Sequence, residues 1–367
     1  MSISKEQVID ALRGVDDPDI KKDLVTLGMV NDVEIAGKSI RFRVTLTTPA
    51  CPLKEKIKND CIAAVSAIAP DYEIDVVMDA QVTSMRNTNV NILPSVKNII
   101  CVASGKGGVG KSTVSVNLAL ALAAQGAKVG LIDADIHGPS IPVMLGVKGK
   151  RPEVRLIKDK HYIVPLEAHG IKLLSIGLLV DDRQAVVWRG PMVTSALKQF
   201  VSDCIWGKLD YLIVDMPPGT GDVHLTMSQT VNVSGAVIVT TPQEVALADA
   251  RKALAMFRME SINVPIFGVV ENMAFFTPEE LPENKYYIFG KDGGKHLATE
   301  YEAPFLGEIP IVQSIREGGD EGVPAVINEK APQAIKDAFN TIAASLARNI
   351  AIKAAQKNAA AAMEATA

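Results

Sequence analysis

The segment with the clearest chemical capability in this sequence is the glycine-rich run from Gly105 to Ser112. Its letters, GKGGVGKS, fit the pattern GxxxxGK[ST], in which glycines let successive backbone N–H groups turn toward one anion. Lys111 is placed to reach the β- and γ-phosphates of a nucleotide, and the Ser112 hydroxyl is placed to bind Mg²⁺. We therefore expect ATP to be bound by one continuous segment: Gly105, Lys106, Gly107, Gly108, Val109, Gly110, Lys111, Ser112 and Thr113.

Acidic residues end two apolar runs further along the chain. Asp133 closes the run at residues 128–133, with Asp135 two residues further on, and Asp215 closes the run at 211–215. Carboxylates at the ends of strands beside a phosphate loop are tolerated when they face water or a cation. They predict a Mg²⁺ site formed by Ser112, Asp133 and Asp215, with solvated turn acids as the alternative. The following loop, PPGTGD, is suited to sensing a γ-phosphate.

These residues need a strand before the glycine-rich run and a helix after it, and the sequence predicts both. Residues 99–103 are apolar, and apolar side chains recur at helical spacing over residues 114–122. Further apolar runs alternate with helical patterns at residues 128–133, 171–176, 211–215, 236–240 and 266–271. Such runs are typical of a parallel sheet covered on both faces. The predicted fold class is α/β, a P-loop NTPase with a mostly parallel sheet flanked by helices.

A small α+β unit of order αββαβ is predicted ahead of this region. Ser4 and Gln7 form a capping box at the start of a first helix, and residues 40–47 alternate apolar and polar side chains as a half-buried strand does. A hairpin turn, a second helix and a last strand are predicted at residues 36–39, from Pro52 and at residues 74–78. We predict four segments: this domain at 1–84, a linker at 85–97, an ATPase domain at 98–352 and a fraying Ala-rich tail at 353–367.

Charge and composition restrict the partners. The chain has 367 residues with 38 Lys+Arg and 42 Asp+Glu, a net charge of −4, which argues against binding nucleic acid by bulk electrostatics. Four cysteines are too sparse for a secreted disulfide scaffold, and Lys5 and Glu6 stand where a signal peptide needs an apolar core. Residues 113–124 fall short of the ~20 apolar residues that cross a bilayer. We expect a cytoplasmic protein without a membrane partner.

Lys106, inside GKGGVGKST, resembles the signature lysine of the deviant Walker A ATPases. This group holds the ParA and MinD proteins, the nitrogenase iron protein and the Mrp/ApbC carriers. The resemblance implies a homodimer in which Lys106 crosses to the partner's nucleotide and offsets charge in the transition state. It also implies that Asp135 positions the attacking water. Lys106, Lys111 and Asp135 are thus the expected catalytic residues of a Mg²⁺-dependent ATPase.

Longer motifs resemble the Mrp/ApbC branch of that group. They are DADIHGPS at residues 133–140, WRGPM at 188–192, DMPPGTGD at 215–222 and VENM at 270–273. By the same resemblance, Asn272 meets the adenine base. The N-terminal unit resembles the MIP18-type domain, through residues 17–19, 27–30 and 48–52. Together these resemblances imply a carrier that receives iron–sulfur clusters from a scaffold and delivers them to apo-proteins.

The sequence departs from that family after the Asn-Met motif. Mrp/ApbC carriers hold a [4Fe–4S] cluster across the dimer on a Cys-x-x-Cys pair there, whereas residues 274–281 read AFFTPEEL. Soft thiolates select an iron–sulfur cluster, and carboxylates such as Glu279 and Glu280 are poor substitutes. The bridging cluster cannot form in its usual way.

The four cysteines differ in their expected roles. Cys61, Cys101 and Cys204 lie in predicted helices or strands and are expected to be core residues. Cys51 precedes Pro52 near a predicted helix N-terminus, where thiolate is stabilised, so a metal role and a structural role are weighed equally. One thiolate per subunit is too few for a cluster, and other ligands would come from a second subunit or a client. The histidines show no close metal-ligand spacing and are expected to be surface or loop residues.

Three functions remain open at this point. The first is an ATP-hydrolysing homodimeric iron–sulfur carrier or assembly factor. The second is a positioning ATPase like ParA or MinD, without a cluster, although the Ala-rich end lacks the basic amphipathic face that a membrane version needs. In the third, the N-terminal unit docks apo-proteins and the ATPase serves as a dimerisation clamp.

Overall fold

The computed structural model describes residues 3–86, 92–135, 138–179, 190–278, 280–281 and 283–364, and the chain forms two units. The first unit comprises residues 1–84 together with 347–367, and the second comprises residues 85–346. The C-terminal segment therefore belongs with the N-terminal residues. The N-terminal part of the first unit ends at Ser84, where the sequence predicts a domain boundary, and the C-terminal residues are an addition to it.

The first unit has the predicted helices and strands, with one short addition. Helix α1 (Lys5–Leu12) starts with the expected capping box, because Ser4 and Gln7 exchange side-chain-to-backbone hydrogen bonds. The added pair is β1 (Asp16–Asp17) and β2 (Lys22–Asp23). The other elements are β3 (Val30–Ala36), β4 (Ser39–Leu46), α2 (Lys54–Ile68) and β5 (Glu73–Ala80). Strand β4 lies between antiparallel β3 and parallel β5, and its apolar face packs on both helices.

The second unit is built on an eight-stranded sheet of order β10-β11-β7-β12-β6-β13-β14-β15. All neighbours are parallel except β10 and β11. The strands are β6 (Val96–Ala103), β7 (Val129–Asp133), β8 (Glu153–Ile157), β9 (Lys160–Val164), β10 (Leu166–Ala168), β11 (Ile171–Ser175), β12 (Leu209–Asp215), β13 (Gly235–Thr240), β14 (Ile266–Phe276) and β15 (Phe305–Ile311). The helices are α3 (Lys111–Ala124), α4 (Ile141–Met144), α5 (Gly190–Ser202), α6 (Asp222–Thr230), α7 (Glu244–Arg258), α8 (Gly293–Glu300), α9 (Gln313–Glu321) and α10 (Gln333–Glu364). This is the predicted P-loop NTPase class.

The six apolar runs correspond to the six consecutive central strands of this sheet, from β11 to β14 in spatial order. The strands that the sequence did not predict have identifiable physical differences. Strand β15 contains Gly307 and Pro310, which interrupt its apolar pattern. Strands β8 and β9 form a separate antiparallel hairpin in which every β8 residue is exposed, so no buried face marks it in the sequence. The predicted runs are those whose strands are buried.

The C-terminal residues correct a prediction. We expected residues 353–367 to fray, but α10 continues as one helix to Glu364. Its alanines favour helix. Ala354 within the segment is buried, as are Ile350 and Ala351 just before it. A search for a wide apolar face overlooks these few buried residues. No helix in the part of the chain that the structure describes has the length and apolarity needed to cross a bilayer.

Candidate functional site

The glycine-rich run forms the loop between β6 and α3, as predicted. Gly110 caps α3 with φ of +80°, a conformation that favours glycine, and a Cβ there would lie 2.2 Å from Asn272 Nδ2. At Gly105 a Cβ would lie 2.0 Å from the carbonyl oxygen of Asp249, so only glycine fits beside α7. Close packing against the loop, by a side chain at Gly110 and by backbone at Gly105, therefore fixes its path at both ends. Its N–H groups lead into the N-terminus of α3, where an anion is favoured.

Lys111 and Asp215 form a buried ion pair at the C-terminal end of β12. The Lys111 Nζ lies 2.8 Å from Asp215 Oδ2, and the two side chains are 6% and 0% exposed. Ser112 Oγ donates to Asp215 Oδ2 over 2.6 Å, and Ser115 Oγ donates to Asp215 Oδ1 over 2.6 Å. The two residues predicted to meet phosphate and Mg²⁺ are thus joined to the predicted acid of the metal site.

Asp133 lies on the neighbouring strand, in register with Asp215. It is fully buried, and Ser175 Oγ donates to its Oδ2 over 2.9 Å. Burial raises the pKa of Asp133, and the adjacent Asp215 carboxylate raises it further. Two buried carboxyls accompanied by one ammonium, Lys111, make a site in which a divalent cation bound by oxygen ligands is favourable. The donor set of Ser112, Asp133 and Asp215 fits Mg²⁺.

Asp135 completes the acidic group at the end of β7. Its Oδ2 lies 3.9 Å from Lys111 Nζ, and its backbone N–H donates to Asp133 Oδ1 over 3.2 Å. The Asp135 side chain is 17% exposed, in contrast to the buried Asp133. Asp135 is thus the acid of this group that water can reach.

A cavity of about 610 Å³ opens beside the phosphate loop. Gly110, Thr113 and Asn272 lie on the loop side of the cavity. Asn272 also donates from Nδ2 to the Val109 carbonyl over 2.8 Å, which ties the end of β14 to the loop. The other walls are largely apolar and include Val143, Met273, Ile288, Pro310 and Ile315. Apolar walls with one amide at the edge suit a flat nucleobase.

Lys106 lies at the exposed surface of the loop. Its carbonyl accepts a hydrogen bond from Ser104 Oγ over 2.9 Å, which fixes the backbone while the side chain faces outward. This placement differs from that of Lys111, whose ammonium is buried. The two lysines of GKGGVGKS therefore face different surroundings.

The cysteines do not provide a cluster site within the described residues. Cys61, Cys101 and Cys204 are buried, and burial raises the pKa of each thiol to about 12. Cys51 is half-buried, and burial raises its pKa as well, contrary to the thiolate expected at a helix N-terminus. Helix α2 begins at Lys54, so Cys51 lies outside its first turn. In the ranges described, no three Cys, His, Asp or Glu side chains are grouped as metal ligands.

Aromatic residues occupy the segment after the Asn-Met motif. Phe275 packs edge-on against Tyr287, and Lys285 Nζ lies 3.9 Å from the centre of the Phe275 ring. Phe276 pairs with Tyr286 through reciprocal backbone hydrogen bonds. The hairpin formed here is held by backbone pairing and ring contacts. Glu279, one of the two acids considered as substitute ligands, lies outside the described residues.

Sequence reasoning missed two serines of the site and misjudged one histidine. Ser115 and Ser175 each donate to one of the buried acids. The sequence did offer a signal for Ser175, because it is a polar residue at the end of the apolar strand β11. In the sheet it is paired in register with Asp133. His224 was expected at the surface or in a loop, but it lies buried on α6. Ile136, His137, Trp188 and Arg189, parts of two quoted motifs, lie outside the described residues.

Known proteins resemble the chain along most of its length. Residues 95–347 match the ParA family model described as NUBPL iron-transfer P-loop NTPase, and residues 5–76 match a family described as iron–sulfur cluster assembly protein. The chain is 46% identical over 353 residues to the iron–sulfur cluster carrier protein of Synechocystis, covering 96% of this chain and 99% of that protein.

Two further likenesses extend this result. The iron–sulfur cluster carrier protein of Escherichia coli is 42% identical over 325 residues, covering 88% of this chain and 86% of that protein. A nucleotide-binding protein from Archaeoglobus fulgidus, solved in complex with ADP, has a TM-score of 0.56 and 38% identity, covering 65% of this chain and 91% of that chain. Both curated relatives are thus matched over most of their own length.

Proposed function

Since the chain belongs to the NUBPL iron-transfer P-loop NTPase family, we propose that it is an ATP-hydrolysing homodimer that carries iron–sulfur clusters to apo-proteins. The observation that carries the ATPase half is the buried network of Lys111, Ser112 and Asp215 at the end of the phosphate loop. The ADP complex of the Archaeoglobus fulgidus relative supports an adenine nucleotide as the ligand.

The nucleotide and its metal have separate groups of residues. Backbone N–H groups of residues 105–110 and the Lys111 ammonium would hold the phosphates, while Asn272 and Thr113 would border the base. Ser112, Asp133 and Asp215 would hold Mg²⁺, which supplies positive charge opposite the phosphate oxygens. Lys111 pairs with Asp215 in this structure. When a phosphate is bound, the Lys111 ammonium would therefore contact both the phosphate and the Asp215 carboxylate.

Water activation and charge stabilisation are proposed for the two remaining residues. Asp135, partly exposed and near Lys111, is placed to accept a hydrogen bond from the attacking water. Lys106, exposed on the loop, is free of the burial that fixes Lys111 and would act across a homodimer interface. Hydrolysis would then depend on association of two chains.

The cluster is proposed as cargo. The described residues of one chain offer three buried thiols and one half-buried thiol, which do not fit a complete cluster site. Ligands from a second subunit, from the scaffold that donates the cluster or from the receiving apo-protein would complete its coordination. The alternative of a positioning ATPase is less favoured, because relatives named as carriers match the chain across both units. We propose the cytoplasm as the compartment, where free cysteines persist.

Substitution of Lys111 tests the ATPase proposal. We expect Lys111→Ala to lower Mg²⁺-dependent phosphate release at least about 100-fold, because a buried charge aimed at the phosphate site is removed. The matched control is Lys158→Ala, in the exposed turn between β8 and β9, which should keep the wild-type rate. Phosphate release from ATP by the purified full chain is the measurement. A wild-type protein that neither binds nor hydrolyses ATP would refute the proposal.

A further inference from the structure

Three loop segments of the first unit meet at one face, and the proposed function leaves them unused. They are residues 17–19, 27–29 and 47–51, which line two adjoining cavities. Asp17 fixes the first loop, since its Oδ1 accepts the N–H groups of Asp19 and Ile20 over 2.8 and 3.0 Å. Thr48 fixes the third by accepting the Ala50 N–H over 3.2 Å. This face also carries Cys51, which is half-buried, whereas the other three cysteines of the chain are buried.

The C-terminal part of α10, residues 347–364, covers this face within the same unit. Arg348 Nη2 lies 2.6 Å from Asp19 Oδ1, and the Asp19 side chain is only 12% exposed. The space over the thiol measures about 10 Å³, and its lining includes Asp19, Cys51, Arg348 and Ile352. That volume holds about one water molecule. The free space beside the thiol on this side therefore admits little more than water, and the residue as a whole is half-buried.

The buried side chains of the covering segment are mostly small. Ile350 is its one large buried apolar residue, whereas Ala347, Ala351 and Ala354 each bury a single methyl group, which stabilises little. A cavity of about 780 Å³ remains beneath the segment, lined by Lys21, Thr26 and Leu27 on one side and by Ala355 and Gln356 on the other. Residues 357–361 are exposed. The Arg348–Asp19 pair is therefore a prominent polar contact in a loosely packed interface.

We propose that residues 347–364 are a displaceable cover that controls chemical access to Cys51, and that the Arg348–Asp19 ion pair holds the cover in place. In the closed arrangement burial keeps the pKa of Cys51 raised, and the Asp17 and Asp19 carboxylates act in the same direction. Opening removes the burial, so the thiolate becomes available. A thiolate accepts soft metal centres. For a cluster as the incoming group, the inference rests on the carrier function proposed above.

Alkylation of the native full-length protein tests this inference without ATP or iron. Iodoacetamide is added in excess, and modification of each cysteine is followed over time by peptide mass spectrometry. We expect Arg348→Ala and Asp19→Asn each to raise the rate constant at Cys51 about fivefold, the effect of losing an ion pair worth about 1 kcal/mol. The charge-reversed pair, Asp19→Arg with Arg348→Asp, should return the rate toward the wild-type value. Arg316→Ala, which removes an exposed ion pair on α9, is the matched control and should change nothing.

Cys61 distinguishes opening of the cover from unfolding of the unit. It is fully buried in the same core, so its labelling should stay slow in every variant. Hydrogen exchange of residues 347–364 should rise in Arg348→Ala while exchange in β4 does not. Equal Cys51 rates in wild type and both single variants, failure of the charge-reversed pair to slow labelling, or labelling of Cys61 in step with Cys51 would each overturn the proposal. None of these results depends on ATPase activity or cluster transfer.

Discussion

The imidazole of His224 is an unusual buried group on α6, close to the loop at residues 217–221. Its side chain is 1% exposed, and neither ring nitrogen makes a hydrogen bond with a described residue. The ring packs edge-on against the Phe257 ring, with 6.2 Å between the two ring centroids. Burial lowers the pKa of His224 to about 4, although the nearby Gly221 carbonyl acts in the opposite direction. The ring is therefore neutral near pH 7 in the folded protein.

This depressed pKa predicts a pH dependence of stability. Between pH 6.5 and 4 the unfolded chain binds a proton at His224 that the folded chain does not, so the free energy of unfolding falls as the pH falls. The full effect amounts to about 3 kcal/mol. We expect the His224→Leu variant to lose this pH-dependent part of the free energy of unfolding. The control variant His296→Gln, at an exposed histidine, should keep it. Urea unfolding at several pH values is the measurement, followed by tryptophan fluorescence, since both tryptophans lie in residues 85–346. If the free energy of unfolding depended on pH in the same way in the wild type and in His224→Leu, this expectation would be contradicted.

At the scale of elements, the contact between the phosphate loop and α7 makes a second prediction. We expect Gly105→Ala to destabilise the nucleotide-free second unit by about 3 kcal/mol, because the new Cβ would overlap the Asp249 carbonyl oxygen and force α7 or the loop to move. Gly107→Ala is the matched control in the same loop, with Pro218 atoms no nearer than 3.9 Å. Denaturant unfolding without nucleotide measures both. Equal stability of the two variants would show that the loop yields to the added methyl group.

The elements also show why parts of the site were predictable. Gly105 to Thr113 is contiguous and lies between a buried strand and a helix, so local pattern sufficed to locate it. Asp133 and Asp215 each end an apolar run, and parallel strands bring such ends to one edge. Ser175 became a partner of Asp133 only through the pairing of β11 with β7, which has no local signature. The sequence showed the strands but not their spatial order.

Cys51 illustrates the other limit. Its neighbour Pro52 suggested a helix N-terminus, but the helix begins at Lys54 and burial governs the thiol instead. Part of the wall over the thiol comes from Arg348, Ala351 and Ile352, which lie far away in sequence and were predicted to belong to the ATPase domain. A contact between the two ends of a chain leaves no periodicity to detect. The boundary after Ser84 agrees with the prediction, but the grouping of residues 347–367 with the first unit has no local signature for the same reason.

At the scale of the whole molecule, the number of available thiolates limits what a pair of chains can hold. A [4Fe–4S] cluster is ordinarily held by four thiolates, whereas the proposed homodimer would offer two copies of Cys51 as its half-buried thiols. Cys61, Cys101 and Cys204 are fully or nearly buried, with the pKa of each raised by that burial. The described residues of two chains therefore lack enough available thiolates for a cluster, and the remaining ligands must come from elsewhere.

This shortage predicts the outcome of anaerobic reconstitution. After gel filtration without small thiols, we expect the wild-type protein to retain well under four irons per dimer, because two coordination positions lack ligands. Adding glutathione, which supplies external thiolates, should raise the retained iron, and Cys51→Ala should lose that gain. Cys204→Ala is the matched control and should behave as wild type, because its thiol is already buried. Iron counting with absorbance measures each case. Four irons retained per dimer by Cys51→Ala would show that residues other than Cys51 hold the cluster.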